Sequence, residues 1–448
     1  MRYLPLTDAD RAEMLRVIGV AGIDDLFADV PRAARMTAPL DLPKHAGEIE
    51  VAARLQALAD RNRPASGAAS FLGCGAYRHH VPASVDYLIQ RGEFLTSYTP
   101  YQPEISQGTL QYLFEFQTQV ALLTGMEIAN ASLYDGASAA AEAVLMARRI
   151  TRRAGVVLSG ALHPHWTGSI ATLLRFSDAG LVQAPLSVAG DEDLAAQVTE
   201  ETACVVVQNP DVFGHVRDLA PLAEACHEKG ALLVACVAES VSLGALTPPG
   251  AMGADIVAGE GQGIGNGLNF GGPYLGLLAT RERFVRQMPG RVSGETVDAE
   301  GRRGYVLTLS AREQHIRRER ATSNICTNSG LCALAFTIHL ALLGEVGFKR
   351  LARINHHRAV TLADRLVGIG GIEVLNDTFF NEFTLRLPVP AAPLADDLAR
   401  DGIFAGVPGD RLWPGADAAA DLLIVAATEL NSPDQIEALA RALEGALS

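Results

Sequence analysis

A glycine-rich loop lies between two apolar, strand-like runs in residues 254–276, which read ADIVAGEGQGIGNGLNFGGPYLG. It holds seven glycines between Gly259 and Gly272, and its only ionisable residue is Glu260. A loop at the end of such a strand is where many α/β enzymes place their reactive groups. Because this loop contains no nucleophile and no strong base, it predicts the geometry of a reaction site without the group that would react.

Two histidine pairs are candidate acids and bases. His163 and His165 follow the run GVVLSG, which places them at the carboxyl end of a sheet, where α/β proteins bind ligands, and His79 and His80 follow GCGAYR. Each pair fits a structural, hydrogen-bonded role equally well. The H-x-H spacing at 163 and 165 would suit a metal ion, but no carboxylate or thiol cluster accompanies it, so we predict no metal site.

The start of an alanine-rich helix in YDGASAAAEAVLM, residues 134–146, is a candidate anion site. Gly136, Ala137 and Ser138 carry no bulky side chains, so the free backbone N–H groups and the helix dipole could hold an anion. The same residues fit a helix that packs closely against a sheet. The stretch has neither the dinucleotide pattern G-x-G-x-x-G after a strand nor a P-loop lysine, which disfavours a nucleotide site.

The segment SYTPYQPEISQGTLQYLFEFQ, residues 97–117, is rich in tyrosine, amide side chains and proline. Pro100 and Pro103 fix φ and keep the preceding residues extended. Stiff backbone with amphipathic aromatic side chains is typical of interfaces and ligand sites. The alternative is that Tyr98 and Tyr101 only cap a hydrophobic core.

The elements that must position these residues alternate along the chain. Apolar runs (GVVLSG, CVVVQNP, ALLVACV, ADIVAG and YLGLLAT) are separated by helical or polar sequence, which predicts a mostly parallel sheet with helices on both faces. We predict a helical segment at 1–65, a large α/β domain at 66–330, and a linking helix with a smaller α+β domain at 331–448.

Composition narrows the class of protein further. The net charge of −14 disfavours a nucleic-acid partner, and the 48% hydrophobic and 20% charged residues are ordinary for a globular enzyme. The six cysteines form no C-x-x-C pair, so we expect free thiols. No signal peptide and no run of about twenty uninterrupted apolar residues is apparent, which predicts a cytoplasmic protein without a membrane partner.

Several long strings resemble one known family, the glycine cleavage system P-protein, or glycine dehydrogenase (decarboxylating). They include the 97–117 segment and its continuation to YDGASAAAEA, FLGCGAYRHHVP, GQGIGNGLNFGGPYLG and ERATSNICTN. The resemblance implies the aminotransferase-like fold, pyridoxal-phosphate fold type I, with a mixed, mostly parallel seven-stranded sheet and a smaller C-terminal α+β domain. The family occurs as one chain of two homologous halves or as separate chains, and 448 residues match the first half, the α subunit (subunit 1).

The resemblance gives a reason for the missing reactive group. In the cofactor-bearing half a lysine on the glycine-rich loop forms the Schiff base, and the corresponding position falls at or within two residues of Gln262. The three lysines of this chain, Lys44, Lys229 and Lys349, lie elsewhere. An aspartate should hold the pyridine nitrogen, yet Glu239 is the only acid that follows the run LLVACV. Pyridoxal chemistry needs both an amine and an acid, so we predict no catalytic residue here.

The resemblance also implies that paired chains complete each other's active sites. Four residues are predicted to contribute to the partner's site: Tyr98, Tyr101, Glu104 and Gln107. Three more are predicted to contact the partner's cofactor phosphate: Thr322, Ser323 and Asn324. The arginines around this loop are predicted to be solvated or paired with acidic groups: Arg312, Arg317, Arg318 and Arg320.

The predicted function is therefore that of one subunit in a two-chain glycine decarboxylase. A homologous β subunit (subunit 2) holds pyridoxal phosphate, the assembly is (αβ)2, and the aminomethyl group of glycine passes to the lipoyl arm of H-protein. Two alternatives stay open at this point. The chain could be a non-catalytic scaffold or regulatory pseudoenzyme, or a self-sufficient pyridoxal-phosphate enzyme that uses an atypical lysine.

Overall fold

The structure is a computed structural model that describes residues 6–36, 38 and 40–447. Contacts divide the chain into two compact units, residues 1–63 and 64–448. The N-terminal unit contains the helices α1 (Asp8–Ile18) and α2 (Glu48–Ala59). Thr7 and Asp10 form a capping box at the start of α1, which satisfies backbone N–H groups there. Neither helix buries a side chain within this unit.

The second unit contains the remaining helices and all the strands that the described residues form. The helices are α3 (Ala83–Ile89), α4 (Gly92–Leu95), α5 (Gln107–Thr124), α6 (Gly136–Thr151), α7 (Pro164–Leu174), α8 (Ala220–Glu228), α9 (Gln314–Arg317), α10 (Gly330–Leu366), α11 (Ala391–Arg400), α12 (Gly409–Leu412) and α13 (Pro433–Leu447). The strands are β1 (Ala69–Ser70), β2 (Ile128–Ala129), β3 (Gly155–Leu158), β4 (Gly180–Gln183), β5 (Thr202–Gln208), β6 (Leu232–Val237), β7 (Ile256–Glu260), β8 (Gly276–Thr280), β9 (Val292–Val297), β10 (Arg303–Thr308), β11 (Glu373–Val374), β12 (Glu382–Arg386), β13 (Ile403–Phe404), β14 (Val407–Pro408) and β15 (Leu422–Ala426).

Seven strands form the large sheet, in the order β2-β8-β7-β6-β5-β3-β4. Strands β7, β6, β5, β3 and β4 run parallel, and β8 is antiparallel to both of its neighbours. The predicted mixed, mostly parallel sheet of fold type I is confirmed. Side chains alternate across it: Cys204 and Val206 pack with α6 and α7, whereas Val205 and Val207 pack with α5, α8 and α10. Helices on both faces explain why these strands are apolar throughout.

Helix α10 joins this sheet to the C-terminal part of the chain. The apolar run LCALAFTIHLALLGEVG predicts a helix near residues 331–347, but α10 continues to Leu366 across a non-helical Gly344. By length and composition alone it could cross a membrane. Its first half, including Phe336, packs in the core of the large sheet, and Leu362 and Leu366 pack in the C-terminal core.

The C-terminal part is an α+β domain, as predicted. Its four-stranded antiparallel sheet has the order β11-β12-β15-β14. Strand β1 pairs in parallel with β13, since Ala69 lies beside Ile403. This pairing places residues 69–70 next to the C-terminal sheet, although the predicted boundaries put them in the large domain. The sequence carried no signal for a pair of strands more than 300 residues apart.

Candidate functional site

Gln262 lies in the glycine-rich loop, just after the end of β7. Its side chain is 1% exposed, and both ends of its amide are hydrogen-bonded. The Tyr77 N–H donates to Oε1 (3.1 Å), and Nε2 donates to the Asn266 carbonyl (2.9 Å). An amide in this position fixes the loop and supplies neither a nucleophile nor a base.

Glu260, at the end of β7, fills the position predicted for an anion at the start of α6. Its carboxylate accepts backbone N–H groups of Gly136, Gln262 and Leu275, each at 2.9 Å. Burial raises the pKa of this carboxyl to about 7, although the three N–H groups oppose the shift. A Cβ on Gly136 would lie 2.4 Å from the Trp166 ring, so close packing requires glycine there. The helix start therefore binds the chain's own carboxylate.

A buried ionic cluster occupies the end of β6, where the family's pyridine-binding acid would lie. His79 Nε2 contacts Glu239 Oε2 and His79 Nδ1 contacts Glu429 Oε2, both at 2.9 Å. Asn381 donates to Glu239 (3.1 Å) and Asn355 donates to Glu429 (3.0 Å). Glu429 and Asn381 come from the C-terminal domain, so the cluster links that domain to the sheet.

His79 and Glu429 are charged in this cluster, which packs against one side of the glycine-rich loop. Burial by itself would lower the pKa of His79, but Glu239 and Glu429 outweigh it and raise that pKa to about 10. Burial would raise the pKa of Glu429, and the hydrogen bond with His79 instead lowers it to about 2. A side chain added at Gly263, next to Gln262, would meet Glu239 Oε1 at 3.1 Å and the His79 ring at 3.2 Å.

The other histidines have structural or exposed positions. His163 Nδ1 accepts the His165 N–H (3.1 Å), so Nε2 carries the hydrogen and donates to the Cys74 carbonyl (3.0 Å). Burial lowers the pKa of His163 to about 4, which keeps the ring neutral. His165 and His80 are exposed. Among the described residues, no group of three or more His, Cys, Asp or Glu side chains could hold a metal ion.

Glu382 is a second buried carboxylate that sequence reasoning missed. Tyr77 Oη donates to its Oε2 (2.8 Å), and the Cys74 N–H donates to Oε1. Burial raises the pKa of Glu382 to about 7. Glu382 lies on β12, far along the chain from Cys74 and Tyr77, so no local pattern could have indicated the contact. It fills the same region between the two domains as the His79 cluster.

The two segments predicted to face a partner lie together on one surface of the second unit. Tyr98 is 78% exposed and Tyr101 is 54% exposed. The buried guanidinium of Arg291 lies under both segments, with Nη2 donating to Tyr101 Oη (3.1 Å) and to the Cys326 carbonyl (2.9 Å). Arg291 was not among the residues predicted from the sequence, because an arginine after Met-Pro-Gly belongs to no recognisable motif.

Some of the predicted partner-facing residues form hydrogen bonds within the chain, and others do not. Gln107 clamps β10: its Nε2 donates to the Tyr305 carbonyl (2.9 Å) and its Oε1 accepts the Tyr305 N–H (2.8 Å). The Ser323 hydroxyl accepts the Ile325 N–H (3.1 Å) and lies near Glu142, whose pKa is raised by burial. Among the described residues, the side chains of Tyr98, Glu104, Thr322 and Asn324 have no hydrogen-bond partner.

The sheet order, the glycine-rich loop after β7 and the C-terminal α+β domain define a chain of pyridoxal-phosphate fold type I. Two solved structures of low sequence identity share this fold. Mouse CSAD is 14% identical, with a TM-score of 0.68 over 91% of this chain and 90% of that chain. The glutamate decarboxylase of Lactobacillus brevis is 14% identical, with a TM-score of 0.66 over 93% and 96%.

Closer similarity identifies the family. A crystal structure of glycine decarboxylase (P-protein) of the glycine cleavage system, in inhibitor-bound form, is 46% identical, with a TM-score of 0.90 over 100% of both chains. The probable glycine dehydrogenase (decarboxylating) subunit 1 of Rhodospirillum centenum is 65% identical over 100% of both chains, and that of Methylocella silvestris is 62% identical over 99% and 100%. The family model for the glycine cleavage system P-protein matches residues 1–401. The chain belongs to this family.

The residues of this chain do not fit pyridoxal phosphate in its own pocket. Lys44 and Lys229 are exposed, and Lys229 precedes β6, at the opposite edge of the sheet from the glycine-rich loop. Lys349 pairs with Glu345, with Nζ and Oε1 2.6 Å apart. The anion position at α6 is taken by Glu260, and the carboxylate at the end of β6 is engaged with His79. The amine that the cofactor needs is lacking there, and the carboxylate that stands at the end of β6 is already paired.

Proposed function

We propose that this chain is the subunit of a two-chain glycine decarboxylase that does not carry the cofactor. Its role is to complete the active site of a homologous partner that holds pyridoxal phosphate. The observation that carries the proposal is a contrast within the chain. Around the glycine-rich loop, Glu260, Gln262 and the His79 cluster are buried and bonded within the chain, whereas the segments around Tyr98 and Thr322 lie on one surface where Tyr98 is exposed.

This contrast also weighs against the two alternatives. A self-sufficient enzyme would need a lysine at the loop after β7, and the three lysines lie at exposed positions elsewhere. A pure scaffold would need only an apolar contact surface. Four polar side chains instead have no hydrogen-bond partner among the described residues: Tyr98, Glu104, Thr322 and Asn324. Their free polar groups favour a polar contribution to a neighbouring site.

The proposed reaction is decarboxylation of glycine, followed by transfer of the aminomethyl group to the lipoyl arm of H-protein. Pyridoxal phosphate on the partner supplies the electron sink. From this chain, Thr322 and Asn324 donate hydrogen bonds to the phosphate, and Tyr98, Tyr101 and Glu104 line the space for substrate. Gln107 and Ser323 support this surface from behind, because their side chains are hydrogen-bonded to the backbone of Tyr305 and Ile325.

The exposed apolar side chains of the N-terminal unit are a further reason to propose an obligate partner. Its helices α1 and α2 bury no residue, and large apolar side chains such as Val17, Ile49 and Leu55 are 60% or more exposed. Exposed apolar side chains in this number are typical of protein contacts. We propose that this unit packs on the homologous subunit within an (αβ)2 assembly.

The proposal predicts that decarboxylation requires both chains. Mixing this chain with the partner should give a complex above the mass of either chain, because obligate interfaces commonly bury more than about 2,000 Å². Gel filtration measures assembly, and exchange of labelled carbon dioxide into glycine measures activity. Each chain alone is the control. Persistence of this chain as a monomer with the partner present at micromolar concentration would contradict the proposal, as would full activity of either chain alone.

A further inference from the structure

Arg291 is a buried cation that contacts both segments of the proposed partner-facing surface. It lies between Gly290 and the start of β9, is 2% exposed, and its carbonyl accepts the Ala131 N–H (2.8 Å), which fixes its backbone to the large sheet. Its guanidinium stands 5.2 Å from the centre of the Tyr101 ring. The residue thus connects a rigid element to an exposed tyrosine.

The N–H groups of this guanidinium are divided between two stretches of chain more than 200 residues apart. On one side, Nη2 donates to Tyr101 Oη (3.1 Å) and Nη1 lies 3.4 Å from Thr99 Oγ1. On the other side, Nη2 donates to the Cys326 carbonyl (2.9 Å), and Nη1 donates to Thr327 Oγ1 (2.5 Å). Nε lies 3.4 Å from Glu313 Oε2, which balances the charge. A planar fork with five donors suits this shared role, and a lysine ammonium does not.

The loop that carries Thr322 is held at both ends from the same place. Thr327, at its end, accepts from Arg291. At its start, the Thr322 N–H donates to the Arg312 carbonyl (3.0 Å), and Arg312 Nη2 donates to the carbonyl of Gly290 (2.9 Å). Gly290 and Arg291 therefore position the whole loop relative to Tyr101.

We propose that Arg291 is a positioning residue for the glycine decarboxylase reaction, acting through Tyr101 and the 322–328 loop; this inference rests on the proposed function. Because Tyr101 Oη accepts from Arg291, the phenolic hydrogen is left to be donated outward, towards the partner's active site. The same guanidinium sets the distance between that donor and Thr322. Arg291 touches neither substrate nor cofactor itself.

The test compares Arg291→Lys with Arg281→Lys in complexes with the partner, matched for assembly by gel filtration. Arg281 is a suitable control, because its Nη2 likewise makes two hydrogen bonds, to the carbonyls of Gly250 (2.6 Å) and Ala254 (2.9 Å), but away from the proposed partner-facing surface. Arg291→Lys should lower kcat/KM for labelled carbon dioxide exchange into glycine roughly tenfold or more, the scale of one lost charged hydrogen bond. Arg281→Lys should change thermal stability alone.

A double variant with Tyr101→Phe separates positioning from general destabilisation. If Arg291 acts through Tyr101, Arg291→Lys combined with Tyr101→Phe should lose less than the product of the two single losses. Multiplicative losses would overturn the proposal, and so would an Arg291→Lys complex with the parent's kinetic constants or one that differs from the parent only in stability, as Arg281→Lys should. Failure of the proposed function is distinguishable, since the parent chain itself would then add no activity to the partner.

Discussion

A His79→Leu variant is expected to lose about 3–5 kcal/mol of unfolding free energy, the usual cost of removing one member of a buried ion pair. The side chains of His79 and Glu239 are 1% and 3% exposed, so the change leaves two carboxylates, Glu239 and Glu429, without their shared cation. Urea unfolding of the chain at about pH 6 measures the loss.

The control for this variant is His80→Leu. His80 is exposed, and only its backbone N–H contacts Glu429, so the substitution should change stability by less than about 0.5 kcal/mol. An equal effect of the two leucine variants would contradict the account of the cluster.

The pH dependence follows from the directions of the two pKa shifts. The pKa of His79 is raised from 6.5 to about 10, so its stabilisation is full below pH 6.5 and is lost as the pH rises through 10. The pKa of Glu429 is lowered from 4.5 to about 2, so its stabilisation is full above pH 4.5 and is lost as the pH falls through 2. The difference in unfolding free energy between His79→Leu and the parent should therefore be largest between pH 4.5 and 6.5 and should shrink at lower and at higher pH.

The second large effect is expected for Thr322→Val in the assembled complex. Thr322 is half-buried, and its hydroxyl makes no hydrogen bond with the residues that the structure describes. If it donates to the partner's cofactor phosphate, its loss removes a charged hydrogen bond worth roughly 1.5–3 kcal/mol. Retention of pyridoxal phosphate should fall about tenfold to a hundredfold, as measured by cofactor titration.

Two variants give this expectation its controls. Thr361→Val makes the same chemical change on an exposed turn of α10, where the hydroxyl bonds only the His357 carbonyl, and should leave cofactor retention unchanged. Tyr98→Phe keeps the ring, so it should preserve assembly but lower carbon dioxide exchange into glycine. If Thr322→Val and Tyr98→Phe both match the parent at equal assembly, the chain serves only as a scaffold.

The fold could be predicted from local pattern where burial is uniform. The residues of β5, β6 and β7 are buried on both faces, so their apolar runs identified them directly. Short edge strands such as β2 and β4, and the hairpin β9–β10, were missed, because half-exposed strands carry mixed sequences. The predicted helix stopped near residue 347, whereas α10 continues to Leu366 across the non-helical Gly344, because its last turns pack in the C-terminal core.

The parts of the candidate site that could be predicted are those that one residue or one short segment of sequence identifies. Gln262 was found because a lysine was expected there, and the segments around Tyr98 and Thr322 were found from their composition and family resemblance. The residues that organise these positions were not found. Arg291, Glu382 and Glu429 act across more than 100 residues of chain, and each belongs to a residue type that is common on surfaces. Only the tertiary structure shows that these side chains are buried and paired.

The most direct test of the account is to locate the cofactor within the assembled complex. The complex is purified with pyridoxal phosphate, reduced with borohydride and cleaved, and the peptides of both chains are mapped for the reduced adduct. The account predicts one stoichiometric adduct on a lysine of the partner and none on Lys44, Lys229 or Lys349 of this chain. A stoichiometric adduct on any of these three lysines would contradict it.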